Sequence, residues 1–557
     1  GHDVFGGGWG NVSAHKVTSA DVEGNTYVNI EGGLAALTQR WNEENLTWYT
    51  NSKGYSPQYD IEQKKFSVTH NIYGGGNIAC EVKGTTNIKM TKGIVADQPV
   101  KSDYAEYTGN KPFESEEWHE VYKKYASPQF SVFGGGYGEH TFVNNNSNVD
   151  IALGKNVVDI SHAESVDKSQ LHRHFYPRQA FMDVFGGGYN GTIRGKSNVI
   201  VDGESFCRRV FGGGFMAPVR SSNVIIKKID ANDVFGGGLM GDVGLTDSQS
   251  EDNGIATITI GGDNNSDIYI HGNIYGGNDV SGYIYKKATL NLFGGTIMGN
   301  VYGAGNGNYF YAQGTNGETK VTPNEGKNEK DLVYSVPARI FASENVGKIS
   351  AAEKIVNINT WSPLTQAVEM NLKGAEGKLL TIQGDVYGGG NSATVGKING
   401  NAPEVKVNIG SYIKINGLYL GCDGNAMFEK TTAFMEEYEK LNDVKLDEPI
   451  NWSGINIDEK YLPVKEESRA EIYPHLLDLY FQPIEMSVQP VVTFADDLKD
   501  CTLGTFVCGG NRGNMNVEPD ANGNIVNYTF PANLVITDKI VGGCNYANLD
   551  YKNITHV

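Results

Sequence analysis

The stretch that decides the fold covers residues 184–238 and reads VFGGGYNGTIRGKSNVIVDGESFCRRVFGGGFMAPVRSSNVIIKKIDANDVFGGG. It contains three copies of Val-Phe-Gly-Gly-Gly at intervals of 26 and 24 residues, and a run of the form Ser-Asn-Val-Ile follows each of the first two copies. These runs alternate apolar and polar residues and are rich in β-branched side chains, which is typical of short β-strands. One repeat therefore combines a Gly-rich segment with short strands.

The same motif recurs along the whole chain. Its clear copies begin at Val4, Ile72, Val132, Val184, Val210, Val234, Ile274, Val301 and Val386, and degenerate copies are predicted at Leu292, Leu420, Val507 and Val541. The shortest intervals between copies are 24, 26 and 27 residues, and the others range from 40 to 85 residues. The long intervals indicate the same unit with an insertion. A unit of about 22–27 residues with three strands and three turns predicts an all-β fold, a right-handed parallel β-helix, in which each unit is one coil of a solenoid.

The glycines have two physical uses in such a fold. Glycine adopts positive φ without steric cost, so consecutive glycines permit a sharp corner. They also let the backbones of adjacent coils approach at about 4.8 Å. The Val or Ile of the motif is predicted to point inward, and the Phe or Tyr then faces the other side in an aromatic ladder partly covered by insertions. Asparagines near the turns are expected to adopt left-handed backbone or to form a side-chain ladder. They are Asn77, Asn278, Asn306, Asn391, Asn511 and Asn545.

Composition narrows the class of protein. The 557 residues include 71 Gly and 17 Pro, with 39% hydrophobic residues, which excludes collagen and allows a large core. A formal net charge of −19 without a basic cluster argues against nucleic acid as a partner. No apolar run approaches the ~18 residues of a transmembrane helix.

The six cysteines are scattered, so isolated core residues are favoured, with a Cys501–Cys508 pair as the alternative. A β-propeller would need longer units of about 40–45 residues.

We expect one β-helix domain over residues 1–557 that carries several insertions. The insertions are predicted at residues 31–70, 95–131, 162–181, 307–350 and 425–490. Residues 307–350 are expected to form a long loop, and helices are expected around residues 114–125 and 426–441. Both ends of the chain resemble the middle of a coil, as in a fragment or a processed form. Insertions on a solenoid usually carry its function.

Aromatic residues in the insertions and turns indicate a binding surface. Tyr and Trp are favoured at protein-binding surfaces and also stack on sugars. The candidate binding residues are Trp41, Trp48, Trp118, Tyr137 and Tyr189. The competing interpretation is that these rings pack the insertions against the coils.

Two groups of residues are weak candidates for metal binding. His162, His172 and His174 could supply three imidazole ligands, although a solvated, weakly basic loop is the favoured interpretation. The oxygen-rich residues 261–267 could hold Ca²⁺, although a plain turn is the favoured interpretation. No resident metal or other cofactor is predicted.

Four aspartates could serve a carbohydrate-cleaving enzyme. Asp183, Asp233 and Asp385 directly precede the Val of the motif, and with Asp279 they could act as general acids or bases, with Ca²⁺ or basic residues. Other copies carry Asn, Ser or Arg at the same position. A polar residue that faces outward is therefore the favoured interpretation, and no catalytic residue is assigned.

The units NIYGGGN at residues 71–77, DVFGGGY at 183–189 and DVYGGGN at 385–391 resemble those of the large Gly-rich repetitive surface proteins of Bacteroidota. The resemblance covers the chain outside the insertions, and it implies export, display at the cell surface and a parallel β-helix body. It leads us to expect a secreted or outer-membrane-associated adhesin that binds a host or environmental protein, or a glycan, through its insertions.

Three further expectations concern the binding partner and the class of protein. The acidic charge would attract a basic secreted partner, such as a digestive protease. The alternative class is an enzyme, a polysaccharide lyase or glycoside hydrolase on the same scaffold. A third class is a stalk, which the large insertions disfavour.

Overall fold

The structure is a computed structural model of the 557-residue chain. It describes residues 3–13, 16–35, 40–42, 47–49, 71–96, 131–153, 180–181, 183–203, 206–227, 229–262, 268–270, 272–307, 309–313, 319–323, 334–336, 363–423, 485–511, 513–517, 528–545 and 549–551. Within these ranges all regular secondary structure is β-strand.

Sheet 1 has fourteen strands, and its path follows the order of the chain. Its strands are Val4–Phe5, Ile72–Tyr73, Ser131–Phe133, Asp183–Phe185, Phe206–Phe211, Ile229–Phe235, Ile268–Ile270, Ile274–Tyr275, Gly295–Ile297, Val301–Tyr302, Leu380–Tyr387, Ile413–Tyr419, Cys501–Val507 and Leu534–Val541. Every pairing is parallel and places the motifs in register, so that Val132 pairs with Val184 and Val184 with Val210.

Sheet 2 has thirteen strands, which are again paired in parallel. They are Thr26–Ala35, Ala79–Val82, Thr86–Ala96, His140–Val143, Ser147–Leu153, Ala180–Phe181, Thr192–Gly203, Val219–Ile226, Ile255–Gly261, Lys287–Phe293, Ala367–Leu372, Glu404–Ile409 and Val491–Phe494. The Ser-Asn-Val-Ile runs form this sheet, and Asn148, Asn198 and Asn223 occupy equivalent positions in successive strands.

Sheet 3 has six parallel strands, and three small antiparallel sheets complete the structure. The strands of sheet 3 are Tyr283–Ile284, Leu364–Thr365, Thr394–Val395, Glu485–Met486, Asn514–Val517 and Leu549–Tyr551. The antiparallel strands are Asn11–Ser13 with Lys16–Thr18, Arg40–Asn42 with Thr47–Tyr49, and Tyr309–Gln313 with Thr319–Pro323 and Tyr334–Val336.

One hydrophobic core lies between the three sheets. It contains Val184 from sheet 1, Val199 from sheet 2 and Val395 from sheet 3, all fully buried. The prediction that the Val or Ile of the motif points inward and stacks on its copy is confirmed. Cys501 and Cys508 are thiols of this core and form no disulfide, which confirms that isolated core residues were the better interpretation.

The glycine triplets are required by close approach and not by backbone conformation. Among the described residues, the glycines with positive φ lie at other positions, such as Gly203 and Gly244, and none belongs to a complete triplet. A Cβ on Gly187 would lie 2.6 Å from the Cα of Gly214, and a Cβ on Gly135 would lie 2.8 Å from the Cα of Gly188. The prediction of a positive-φ corner is therefore wrong, whereas the predicted approach of adjacent backbones is confirmed.

The degenerate copies of the motif need correction. Leu292 pairs with Ile260 in sheet 2, and Gly294 has a φ of 119°, so the sequence at Leu292 is not a copy of the motif. The other three degenerate copies begin earlier than predicted, because Leu418 pairs with Val386, Phe506 with Leu418, and Ile540 with Phe506. Leu418, Phe506 and Ile540, and not Leu420, Val507 and Val541, therefore align with the Val of the motif.

A buried hydroxyl links sheet 2 to the glycine triplets that begin at Gly74, Gly134, Gly186, Gly212 and Gly236. The hydroxyl of Ser197 donates to the carbonyl of Gly212 at 2.5 Å, and that of Ser222 donates to Gly236 at 2.6 Å. Thr86 makes the same bond to Gly134 at 2.6 Å. The Ser or Thr of one repeat thus satisfies the first glycine carbonyl of the next repeat, which explains why these two sequence features occur together.

The insertions are described in part. Residues 31–35, 95–96, 131, 180–181 and 485–486 belong to strands of the parallel sheets, so the predicted boundaries extend too far into the body. The loop expected over residues 307–350 contains the three-stranded antiparallel sheet. The helices expected around residues 114–125 and 426–441 lie outside the described residues.

Replacing Gly187 by Ala tests the close-approach argument. We expect Gly187→Ala to lower the free energy of unfolding by about 3 kcal/mol, because the new Cβ would overlap the backbone of the next repeat. The control is Gly24→Ala, where a Cβ would meet nothing within 4 Å, and we expect a change within about 0.5 kcal/mol. Chemical denaturation of the purified proteins measures both. Equal effects of the two substitutions would contradict the argument.

Candidate binding surface

The outer face of sheet 1 carries a continuous stack of aromatic rings. The predicted ladder is confirmed, and it consists of Phe5, Tyr73, Phe133, Phe185, Phe211, Phe235, Tyr275, Tyr302, Tyr387 and Tyr419. Successive ring centroids are between 4.5 and 5.0 Å apart. In-register parallel pairing places like residues on adjacent strands, and this spacing brings the rings into stacking contact.

Two columns of residues border the ladder. The leading column consists of the residues that directly precede the inward Val or Ile: Asp3, Asn71, Ser131, Asp183, Arg209, Asp233, Asn273, Asn300 and Asp385. The trailing column consists of the residues that follow the Gly-rich segment: Trp9, Asn77, Tyr137, Tyr189, Phe215, Leu239, Asp279, Asn306, Asn391, Asp423, Asn511 and Asn545. From Asn77 onward, each backbone N–H of the trailing column donates to the preceding repeat, as Tyr189 does to Gly136 at 3.0 Å.

The leading column is held together by hydrogen bonds between repeats. The Oδ1 atom of Asp233 accepts the backbone N–H of Asn273 at 2.7 Å, and Asn300 accepts the N–H of Asp385 at 2.8 Å. By alternation these side chains lie on the outer face, as favoured from the sequence. Ser131 and Asp183 are nevertheless fully buried. The column therefore has a structural role beyond that of an exposed polar row.

Asp183, Arg209 and Asp279 form a buried ionic group. Arg209 donates to both carboxylate oxygens of Asp183, with 3.2 Å from Nε to Oδ1, and its Nη1 lies 3.6 Å from Oδ2 of Asp279. The guanidinium also lies 5.1 Å from the ring centroid of Phe211. Each of the three charged residues is at most 5% exposed. Nothing in the local sequence pairs Arg209 with Asp279, because these residues meet only through the stacking of repeats.

Removing the guanidinium tests the importance of this group. We expect Arg209→Met to lower the free energy of unfolding by about 3–5 kcal/mol, since two buried carboxylates would lose their counter-charge. The matched control is Arg220→Met, which removes a partly exposed ion pair with Asp252 at 3.1 Å and should cost at most about 1 kcal/mol. Thermal and urea unfolding compare the two variants, and equal losses would show that burial of the charges is unimportant.

The ladder and its trailing column change character together along the chain. From Tyr275 onward the rings are tyrosines, and the trailing column changes from apolar residues to Asp and Asn. The hydroxyl of Tyr302 donates to Asp423 at 3.3 Å, and that of Tyr387 donates to Asp385 at 3.4 Å. Burial raises the pKa of the Asp385 carboxyl. Hydroxyls at the edge of the ladder require polar neighbours, so the ladder and the trailing column change in the same repeats, whereas the leading column is polar throughout.

The asparagine ladder predicted from the sequence is confirmed in this polar half. Asn391 donates through its side-chain amide to Asn306 at 3.1 Å, and Asn545 donates to Asn511 at 2.8 Å. The alternative of left-handed backbone is wrong for the predicted residues. In the described part of the chain, the non-Gly residues with positive φ are Ile78, Ser392, Asn399, Tyr412 and Asp500. A second ladder, from Asn87 through Asn148 and Asn198 to Asn223, was not predicted.

Two of the predicted binding residues meet in the apolar half of the trailing column. Tyr137 is 44% exposed, and its ring stacks on that of Tyr189 at 5.2 Å. Tyr189 in turn stacks on Phe215 at 4.6 Å, and burial raises its pKa to about 12. Trp9, which is 70% exposed, occupies the same column and was not chosen from the sequence. Its position directly after a glycine triplet, like that of Tyr137, was the available signal.

The other predicted site residues are not joined to this surface by the described structure. Trp41 and Trp48 occupy opposite positions of an antiparallel hairpin. Trp118, His162, His172 and His174 lie outside the described residues, as does most of the proposed Ca²⁺ loop over residues 261–267. Within the described ranges no three His, Cys, Asp or Glu side chains come together in a cluster that could hold a metal ion. The same part of the chain has no helix of the length and apolarity that a membrane span requires.

Asp242 is a perturbed carboxyl in the segment that leads from sheet 1 to sheet 3. Its Oδ1 accepts the N–H of Tyr283 at 2.8 Å, and the hydroxyl of Tyr285 lies 3.4 Å from its Oδ2. Burial raises the pKa of Asp242 to about 6, and these hydrogen bonds oppose only part of that shift. The ionised form of this carboxyl therefore destabilises the folded protein.

Asp242 should make stability depend on pH. The pKa of Asp242 is about 6 in the folded chain and ~3.9 in the unfolded chain. The stability that the protonated carboxyl contributes is therefore fully present below pH ~4 and is lost as the pH rises through 6. Because of this carboxyl, the free energy of unfolding of the wild type should fall by up to about 3 kcal/mol between pH 4 and 7, and this fall should be absent in Asp242→Asn. The measurement is the difference in unfolding free energy between wild type and variant at each pH. A difference that does not change with pH would contradict the assignment.

These observations define an all-β protein of long parallel sheets, with a stacked aromatic column and two bordering columns on one outer face. The chain matches no protein-family model, no curated protein and no solved structure.

Proposed function

We propose that the chain is a right-handed parallel β-helix that acts outside the cell as a binding protein. It binds a protein or a glycan through the outer face of sheet 1 and the segments that border this face. The observation that carries the proposal is the exposure of Trp9 and Tyr137 in one column at the edge of the aromatic ladder. Large exposed aromatic side chains are favoured at binding surfaces because each offers a rigid apolar area.

Closure of the three sheets into a solenoid is supported by their order and by the shared core. Apart from Ala180–Phe181, which pairs with Thr86–Ala96, the strands of each sheet follow the order of the chain, and all three sheets contribute to one hydrophobic core. Isolated bridges join Val22 to Val82, Val219 to Val243 and Val243 to Ile284. These bridges continue the side of sheet 3 into earlier repeats. Right-handedness follows from the strong preference for right-handed connections between parallel strands.

The long connections between strands of the parallel sheets support the choice of face. Residues 35 and 96 end strands of sheet 2, and the next strands of sheet 1 begin at residues 72 and 131. Residues 302 and 419 end strands of sheet 1, and the next strands of sheet 3 begin at residues 364 and 485. These four long connections therefore start or end at the borders of the outer face of sheet 1.

Binding is favoured over catalysis by the roles of the candidate carboxylates. Asp183 is paired with Arg209 inside the face. Asp233 accepts the backbone N–H of Asn273, and Asp385 accepts the side-chain amide of Asn416, so both carboxylates join successive repeats. These carboxylates already serve the packing of the repeats. Export and cell-surface display rest on the resemblance of the Gly-rich units, and the acidic net charge of −19 favours a cationic protein or a neutral glycan over a polyanion.

A binding panel tests the proposal. The purified chain is immobilised and exposed to a glycan array, to cationic secreted proteins such as digestive proteases, and to acidic proteins of similar size. We expect binding to at least one glycan or cationic protein, reduced at least tenfold in the double variant Trp9→Ala/Tyr137→Ala. Tyr27→Ala, which removes a tyrosine that is 67% exposed on sheet 2, is the matched control and should bind like wild type.

The outcomes separate the classes of protein. A blank panel, or equal binding by the double variant and wild type, would contradict the proposal. Release of new reducing ends or unsaturated sugars from polysaccharides during the incubation would instead establish the enzyme alternative.

A further inference from the structure

The first repeats carry an exposed carboxylate beside exposed aromatic side chains. Asp3 of the leading column is exposed, and in the trailing column Trp9 is 70% and Tyr137 is 44% exposed. Phe5 of the ladder lies two residues after Asp3 on the same face of its strand, and its ring centroid is 6.5 Å from that of Trp9. A partner can therefore reach both the charge and the rings from solvent.

The negative charge of Asp3 is not needed to join the repeats. Its Oδ1 accepts the backbone N–H of Asn71 at 2.9 Å. In other repeats a neutral amide oxygen makes the same bond, from Asn71 to the N–H of Ser131 at 2.8 Å and from Asn273 to that of Asn300 at 2.7 Å. Within the described ranges no basic side chain forms an ion pair with Asp3. Its charge is therefore left for a partner.

The protein itself holds a guanidinium in an equivalent setting. Arg209 of the leading column donates to both carboxylate oxygens of Asp183, which precedes it in the same column. The guanidinium lies 5.1 Å from the ring centroid of Phe211, and its Nη1 lies 3.6 Å from Oδ2 of Asp279 in the trailing column. A guanidinium thus fits between the two columns, above a ladder ring and against an aspartate of the leading column.

The first two repeats repeat this setting without the arginine. Val4 pairs with Ile72, so Asn71 stands to Asp3 as Arg209 stands to Asp183. The ladder ring of the second repeat is Tyr73, which contacts Tyr137 edge to face at 5.8 Å between centroids. Burial and, after it, the nearby charge of Asp3 raise the pKa of Tyr73. The carboxylate and the aromatic rings are therefore close neighbours.

We propose that Asp3 and the exposed rings of Trp9 and Tyr137 bind an arginine side chain of a cationic protein, as Arg209 is bound within the chain. This assignment rests on the proposed binding function and names its partner class. The carboxylate accepts the paired N–H donors of the guanidinium, while the flat face of the guanidinium stacks on an aromatic ring.

Charge and shape favour arginine over the alternatives. A lysine ammonium is a point charge that is strongly hydrated, so it gains less from an aromatic face. A neutral glycan gains nothing from the charge of Asp3, and a polyanion is repelled by it. The net charge of −19 also attracts a cationic protein at long range. One exposed contact of this kind is weak, so a partner with several arginines is expected.

Asp3→Asn is the sharpest test. It removes the charge and keeps the amide oxygen that Asn71 and Asn273 use for the bond between repeats. We expect the affinity for an arginine-rich peptide to fall about fivefold or more, with an unchanged melting temperature. Asp247→Asn, which removes an exposed carboxylate elsewhere, is the matched control and should bind like wild type. Trp9→Ala should lower the affinity to a similar extent, and it keeps the test decisive if Asp3→Asn does not fold.

The probes are an arginine-rich peptide, the same peptide with lysine or with neutral citrulline in place of arginine, and neutral oligosaccharides. Their binding to the full chain is measured by calorimetry at low ionic strength. Preference for the arginine peptide, with loss in Asp3→Asn and Trp9→Ala, supports the assignment. Equal binding of the lysine or citrulline peptide, equal losses in Asp3→Asn and Asp247→Asn, unchanged binding in a folded Asp3→Asn, or binding of the oligosaccharides alone would overturn it. Absence of any binding by wild type would overturn it as well.

The two proposals fail in different ways. If Asp3→Asn binds the arginine peptide as wild type does but Trp9→Ala/Tyr137→Ala still abolishes capture of a partner from the panel, the arginine assignment fails and the binding function stands. If the double variant captures its partner as wild type does, the binding function itself fails.

Discussion

The contact between backbones at the glycine triplets is the constraint on which the rest of the structure depends. A single Cβ on Gly135 or Gly187 would lie less than 3 Å from the backbone of the next repeat, so the motif can stack only without side chains. This stacking fixes the register of sheet 1, and the register then decides which residue lies above which. Core valines, ladder rings and the two bordering columns all follow from that one alignment.

Register turns small sequence choices into long columns. One side chain per repeat becomes a row of like groups about 4.8 Å apart, and each row must be compatible with its neighbours along its full length. The tyrosine half of the ladder illustrates this, because Tyr302 and Tyr387 place hydroxyls beside Asp423 and Asp385. Where the ladder is Phe, as at Phe185 and Phe211, the rings are fully buried among apolar neighbours. Surface character is therefore set in blocks of repeats and not residue by residue.

The same regularity makes departures from it informative. Asp183, Arg209 and Asp279 place three charges inside a face that is otherwise aromatic and apolar in those repeats. Asn77 interrupts a row of aromatic residues, and its buried amide oxygen has no donor among the described residues. Such a departure is recognisable in a regular column, whereas the same residue in an irregular loop would not stand out.

Local sequence rules were sufficient for the strands, the inward Val and the aromatic ladder, because alternation and turn composition depend only on neighbouring residues. They gave two reasons for the glycines and could not choose between them, since conformational freedom and close approach predict the same residue and only the stacked backbones distinguish them. They also could not pair Arg209 with Asp279, or place Asn77 between Trp9 and Tyr137. Those contacts join different repeats, and the insertions of variable length between repeats conceal which residues become neighbours until the chain has folded.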